Sequence, residues 1–183
     1  MDADTNLGDV PVILLVEDSR RFYSLYLPLL YQELMEQTGS LAGEGLSLHH
    51  RVLRRRARAK ILLATDMEKA QEFYKRYSKH IIGLITDAAY PWKDEHNSNA
   101  GAELIKVVQK DDYDIPIIMQ SSLPENRKVA EGLKTEFLDK SDSGLLKGIR
   151  ACMREKMSFG DFVTNAHTKI EKILLETLQY YNP

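Results

Sequence analysis

The chain has a single cysteine, Cys152, so it can form no internal disulfide and build no thiolate metal cluster. Cys152 sits within a helical pattern, where an inert buried thiol is expected. No uninterrupted apolar stretch approaches the roughly 18 to 20 residues of a membrane span, and Met1-Asp2-Ala3-Asp4 has neither the basic nor the apolar region of a signal peptide. A soluble, cytoplasmic protein without membrane contact is the expectation. An excess of either charge is missing too: 25 Lys and Arg stand against 27 Asp and Glu, which removes any global electrostatic case for nucleic acid or anionic lipid. The five histidines include no i, i+4 pair with an adjacent Glu, so a zinc-protease site is absent, and His49-His50 reads as a helix end. Repeats and low-complexity segments are also lacking. What remains, 183 residues with 43% hydrophobic and 28% charged, suffices for one well-buried core with additional elements.

Short apolar runs rich in β-branched residues recur at Val12–Val16, Ile61–Ala64, Ile81–Thr86, Ile115–Gln120 and Glu136–Leu138. Helical patterns lie between them. Ser19 is placed to cap a helix carrying Phe22, Leu25, Tyr26, Leu29 and Leu30, and Asp66 one carrying Ala70, Phe73, Tyr74 and Tyr77. Ala102 to Val108, Asn126 to Leu133 and Gly144 to Met153 supply three more. Strand and helix in alternation predict an α/β domain, a parallel sheet covered on both faces.

The first connection, Ser19 to Ala59, is roughly three times the dozen or so residues of a minimal crossover. It contains Pro28, which is expected to kink or restart the helix, and Gly39, Gly43 and Gly45. The surplus, about residues 27–56, is expected to form a protruding helical pair that joins two chains or docks a partner module. Six basic residues occur between Arg51 and Lys60, a run that reads as the solvated end of a long helix. Ile170, Ile173, Leu174, Leu178 and Tyr181 are spaced for an extra amphipathic helix in the tail, residues 158–183.

The chemistry sits at the ends of the strands. The first run stops at Glu17-Asp18 and the third at Thr86-Asp87, and ligands of open α/β sheets bind at this edge. Three carboxylates there suit a hard cation such as Mg²⁺, which takes oxygen ligands and offsets their mutual repulsion. A carboxylate is also a nucleophile able to accept a phosphoryl group as an acyl phosphate. The fourth run ends in Ser121-Ser122 and the fifth in Asp139-Lys140, bringing a hydroxyl and an ammonium to the same edge.

That order resembles the receiver domain of two-component response regulators. The likeness is carried by V-I-L-L-V-E-D-S at 12–19, L-I-T-D-A-A-Y-P at 84–91, G-A-E-L at 101–104, I-P-I-I-M-Q-S-S at 115–122 and F-L-D-K at 137–140. It spans essentially residues 10–157. The resemblance implies a flavodoxin-like, doubly wound five-stranded parallel sheet of order 2-1-3-4-5. It further implies Asp87 as phosphoacceptor, with Mg²⁺ held by Glu17, Asp18, Asp87 and the backbone carbonyl of Ala89. Ser121 would be the switch hydroxyl, Phe137 the switch aromatic and Lys140 the lysine that pairs with phosphate. The implied partner is a histidine kinase or phosphotransfer protein, and the implied role is signalling rather than enzymatic turnover. Ser141 stands where the family usually has Pro, so the cis bond common there is not expected, and Trp92 to Asn99 lengthens the loop beside Asp87 into a candidate lid.

A narrower likeness, in R-F-Y-S-L-Y-L-P-L-L-Y-Q-E-L at 21–34, R-A-R-A-K-I-L-L-A-T at 56–65, Q-S-S-L-P-E-N at 120–126 and F-G-D-F-V at 159–163, is to the receiver-like region ahead of pyruvate phosphate dikinase or phosphoenolpyruvate synthase type modules. It implies an alternative, a regulatory or dimerisation module that is not phosphorylated. A small phosphohydrolase would place its nucleophile at the first strand with a second Asp two residues on. Asp18 is followed instead by Ser19 and Arg20.

Overall fold

The computed structural model describes residues 10–42, 59–111 and 115–157. Its centre is β1, Val12–Val16, five apolar residues buried without interruption, as befits a strand covered on both faces. β2 (Lys60–Ala64), β3 (Ile81–Asp87), β6 (Ile117–Ser121) and β7 (Glu136–Asp139) join it in one parallel sheet of order β2-β1-β3-β6-β7. The short strands β4 (Tyr90–Trp92) and β5 (Glu95–Asn97) form a separate antiparallel hairpin, so the main sheet has the order 2-1-3-4-5 when counted alone. β2 and β7 lie at the edges and are less completely buried than β1, β3 and β6.

Helices cover both faces. α1 (Arg20–Ala42) and α5 (Leu145–Lys156) supply Tyr26, Leu30, Leu34, Ile149 and Met153 to a core against Ile13, Leu15, Ile85 and Ile118. The opposite core contains Met67, Ala70 and Tyr74 of α2 (Met67–Tyr77), Leu104, Ile105 and Val108 of α3 (Ala100–Lys110), and Ala130 of α4 (Asn126–Gly132). These meet Leu14, Val16, Leu84, Met119 and Phe137. Asp66 caps α2 as expected, its Oδ1 accepting from the Lys69 N–H at 2.7 Å. Cys152 is buried on α5, and burial pushes its thiol pKa up, as an inert thiol requires.

Three expectations about the first connection meet different outcomes. Pro28 does not break the helix: α1 runs through it from Arg20 to Ala42. The physical reason is local, because Pro28 and Ser24 both face solvent, so the Ser24 carbonyl that loses its helical donor can be hydrated. The proposed protruding pair includes the lower part of this helix, while residues 43–58, with His49-His50 and most of the basic run, lie outside the described residues. Lys60, the end of that run, is the first residue of β2 rather than part of a helix. The tail 158–183 also lies outside the described residues. The lower half of α1 is tied to α5 by buried Glu33, which accepts from Arg154 Nε at 2.6 Å, and by Glu36, which accepts from Arg154 Nη2 at 2.7 Å. Among the described residues no helix is long and apolar enough to cross a membrane, and no peptide bond is cis.

Candidate functional site

Strand alternation decides which side chains meet. Leu15, Ile85, Ile118 and Leu138 point to the α1 and α5 face, so two residues further on Glu17, Asp87, Gln120 and Lys140 emerge above them on that face. The register reinforces this: Val16 is opposite Thr86 and Asp87 is opposite Gln120. Phe137 and Met119 pack in the opposite core, and Ser121, two residues beyond Met119, follows them to that side.

Lys140 is the hub. Its ammonium lies 2.7 Å from Glu17 Oε2 and donates a short hydrogen bond to Asp87 Oδ2, with the lysine side chain 3% exposed and that of Glu17 fully buried. The aromatic ring of Phe22 holds the same ammonium at 4.4 Å from its centroid. Glu17 is further bound by Ser19 N–H at 3.1 Å and by Gln120 Nε2 at 3.1 Å. Asp87 Oδ1 accepts from Ala88 N–H at 2.7 Å, and the Ala89 N–H also bonds this carboxyl. Burial raises the Glu17 pKa to about 7; Lys140 pulls against that rise and the Asp87 charge adds to it. Asp87 is likewise raised by burial, with Lys140 opposing.

Glu17, Asp18 and Asp87 each present a carboxylate oxygen, all within 4.8 Å of one another, which fits a hard divalent cation that takes one or two carboxylates and keeps several waters. The Lys140 ammonium supplies positive charge to two of the three. The loop is shaped to bring them in. Gly101 opens α3 beneath it, donating its N–H to the Ala88 carbonyl at 3.0 Å, and a Cβ there would stand 2.1 Å from the Asp87 carbonyl oxygen and 2.9 Å from Ala88 Cα. Only glycine allows that approach.

Ser121 is buried, and its hydroxyl accepts from Leu123 N–H at 3.1 Å and Asn126 Nδ2 at 2.8 Å. Both lone pairs are thereby used and the hydroxyl hydrogen is left to donate. Phe137 is tucked inward, with the Arg127 guanidinium 4.7 Å from its ring centroid.

Glu17, Asp18, Asp87 and Lys140, each read from the end of a strand, lie together at one edge; Gln120 and Phe22 were not singled out by the sequence. Gln120 could have been found by counting two residues on from Ile118 along the same strand face. Phe22 carried no such signal, since an aromatic four residues after an acidic pair reads as core. The insertion after Asp87 is a hairpin whose turn, Lys93 and Asp94, has φ of 55° and 62°. This is the left-handed geometry of a two-residue hairpin turn. It is anchored on α2 by the Lys93 N–H bond to Glu68 at 2.9 Å and walls an open cleft of about 620 Å³ that Asp18, Thr65 and Asp66 also line.

No protein-family model and no curated protein matches the chain. Solved structures do match in fold. The signal receiver domain of an HD domain-containing protein from Pseudomonas fluorescens superposes with a TM-score of 0.54 at 15% identity, covering 81% of this chain and 94% of that one. A response regulator receiver protein from Pseudoalteromonas atlantica gives 0.53 at 16% identity, covering 79% and 95%. The phosphorylated cyanobacterial phytochrome response regulator RcpA gives 0.52 at 15% identity, covering 82% and 96%. The chain therefore has the flavodoxin-like fold of response regulator receiver domains. The narrower likeness to the region ahead of pyruvate phosphate dikinase type modules gains no support from these comparisons.

Proposed function

We propose that the chain is a phosphoacceptor receiver domain, taking a phosphoryl group onto Asp87 from the phosphohistidine of a histidine kinase or phosphotransfer protein and signalling through protein contact. One observation carries this reading: a buried Asp, bonded to a buried Lys, beside two further carboxylates at the C-terminal edge of a parallel sheet. A fold shared with the phosphorylated response regulator RcpA supports it.

In the transfer, an Asp87 carboxylate oxygen attacks phosphorus, the P–N bond to the donor imidazole breaks, and the imidazole leaves with a proton from solvent. Glu17, Asp18 and Asp87, with the Ala89 carbonyl, would hold Mg²⁺, which when bound neutralises charge on the phosphoryl oxygens. The chain's own residues supply the rest. The Lys140 ammonium follows the transferred charge, and the free hydroxyl hydrogen of Ser121 donates to a phosphoryl oxygen. Drawing Ser121 inward loosens its bond to Asn126 at the start of α4, and Phe137 on the adjoining strand responds to that shift. Such coupling is a two-state population shift biased by a local charge.

The test is incubation with Mg²⁺ and acetyl phosphate, read by intact mass. Wild type is expected to gain one acid-labile phosphoryl group and Asp87→Asn none. Equal incorporation by the variant would reject Asp87 as acceptor.

A further inference from the structure

The two faces of the edge strand β2 are unequally covered. Leu62 and Ala64, on the α2 face, are 3% and 0% exposed, whereas Ile61 and Leu63, on the α1 face, are only half-buried. The placement of α1 explains the difference. Its α5 flank is fixed by Glu33 and Glu36, which both bind Arg154. At about 100° of turn per residue, Tyr31 lies roughly 140–160° round the helix from either glutamate, on the flank away from α5. There Leu27, Tyr31 and Met35 form a ridge at i, i+4 and i+8. Leu27 is half-buried beside the same core that Ile61 and Leu63 border, and Tyr31 and Met35 are 48% and 58% exposed. Only α1 and α5, among the described residues, supply helical side chains to that core, so this apolar flank has no helix against it. A continuous apolar ridge beside a half-covered strand is a docking surface.

The chain itself carries a matching segment. Met157, the last described residue, is 2% exposed and belongs to the same core as Leu34 and Ala59. It lies so close to β3 that a Cβ on Gly83 would stand 2.6 Å from its Sδ. Residues 158–183 therefore start at the end of the sheet where α1 finishes and β2 begins. Within them Ile170, Leu174 and Leu178 repeat the i, i+4, i+8 spacing, a ridge of about 12 Å, the same length as Leu27 to Met35. The other stretches outside the described residues fit less well: residues 1–9 are mostly polar, and 43–58 contain Gly43 and Gly45 and then five arginines in their last eight positions. We propose that the tail, residues 158–183, packs as an amphipathic helix on the flank of α1 over β2 in its own chain, with Ile170, Leu174 and Leu178 along Leu27, Tyr31 and Met35. This docking stands apart from phosphorylation and does not depend on it.

Amide hydrogen exchange of the full chain, read by mass spectrometry on peptides spanning 166–181, tests this. A single helix of that length is marginal in water, so slow exchange there requires docking. Wild type is expected to show that protection. Tyr31→Ser with Met35→Ser, both at exposed positions, should speed exchange of the tail about tenfold or more. The reciprocal pair, Leu174→Ser with Leu178→Ser, leaves residues 10–157 untouched and should reach the same rate; all four substitutions together should add nothing further. Fast exchange of the wild-type tail would overturn the proposal. So would protection that the Tyr31 and Met35 pair leaves unchanged, since the tail would then be held elsewhere. Protection that fades on dilution, with a two-chain mass by light scattering, would give the surface to a second copy instead. An unprotected tail beside protected residues 43–58, released by the same α1 pair, would give it to that segment.

Discussion

Replacing Lys140 by methionine removes the one cation shared by Glu17 and Asp87 while nearly preserving side-chain length. At the 2.7 Å separation from Glu17 and an effective dielectric near 20, the lost attraction is ~6 kcal/mol for that pair alone. The variant no longer has to desolvate the ammonium, which offsets part of the loss. Deleting one member of a buried ion pair typically costs about 3–5 kcal/mol, and we expect that figure at pH 8 in EDTA. Two further consequences separate this account from simple loss of packing. Glu17, already raised to about 7 with Lys140 in place, rises further without it, so by pH 6 Glu17 has taken up its proton and the deficit shrinks. A divalent cation offers the same oxygens a substitute charge, so saturating Mg²⁺ should restore more than half of the loss. Urea unfolding at both pH values, with and without Mg²⁺ and at constant m, reads all three quantities. A deficit of the same size under every condition would refute the reasoning.

Gly101→Ala is expected to destabilise by about 1–3 kcal/mol through overpacking and to weaken Mg²⁺ binding several-fold, because the new methyl must displace the Asp87 carbonyl; thermal melts and a metal titration report each. Asp18→Ala should lose more Mg²⁺ affinity than Glu17→Ala, since Lys140 and Gln120 already occupy Glu17 while no hydrogen bond among the described residues engages the Asp18 carboxylate; equal losses would contradict that ranking. The pH profile of the metal-free protein follows from Glu17: its folded pKa of about 7 lies above the ordinary value of 4.5, so the folded state retains a proton that the unfolded state releases. Glu17 therefore favours folding below the lower value and withdraws that favour as pH rises through the window to about 7, a slope that saturating Mg²⁺ should flatten in melts run from pH 4.5 to 8.

The layout of the sheet was legible because its signals are local and periodic. Central strands buried on both faces must be continuously apolar, as β1 is, and a parallel sheet delivers its chemistry at strand ends, so Glu17-Asp18, Asp87 and Lys140 stood out without any contact being known. Pro28 does not restart the helix because its effect depends on exposure, which one sequence does not reveal: Ser24 and Pro28 both lie on the exposed face, and the helix continues through them. Tyr26 and Gln120 were hidden for a related reason. On a helix face, tyrosine among Phe22, Leu29 and Leu30 reads as another apolar residue, and a glutamine at the end of an apolar run reads as its solvated boundary. Only the fold shows that both are sealed from solvent on the face that carries Glu17 and Asp87, and that each keeps one polar atom without a partner. The residues chosen for chemistry announce themselves by type and place. Tyr26 and Gln120 are polar groups at positions where packing alone would have taken an apolar one, and burial without a full set of partners is the physical mark by which they are found.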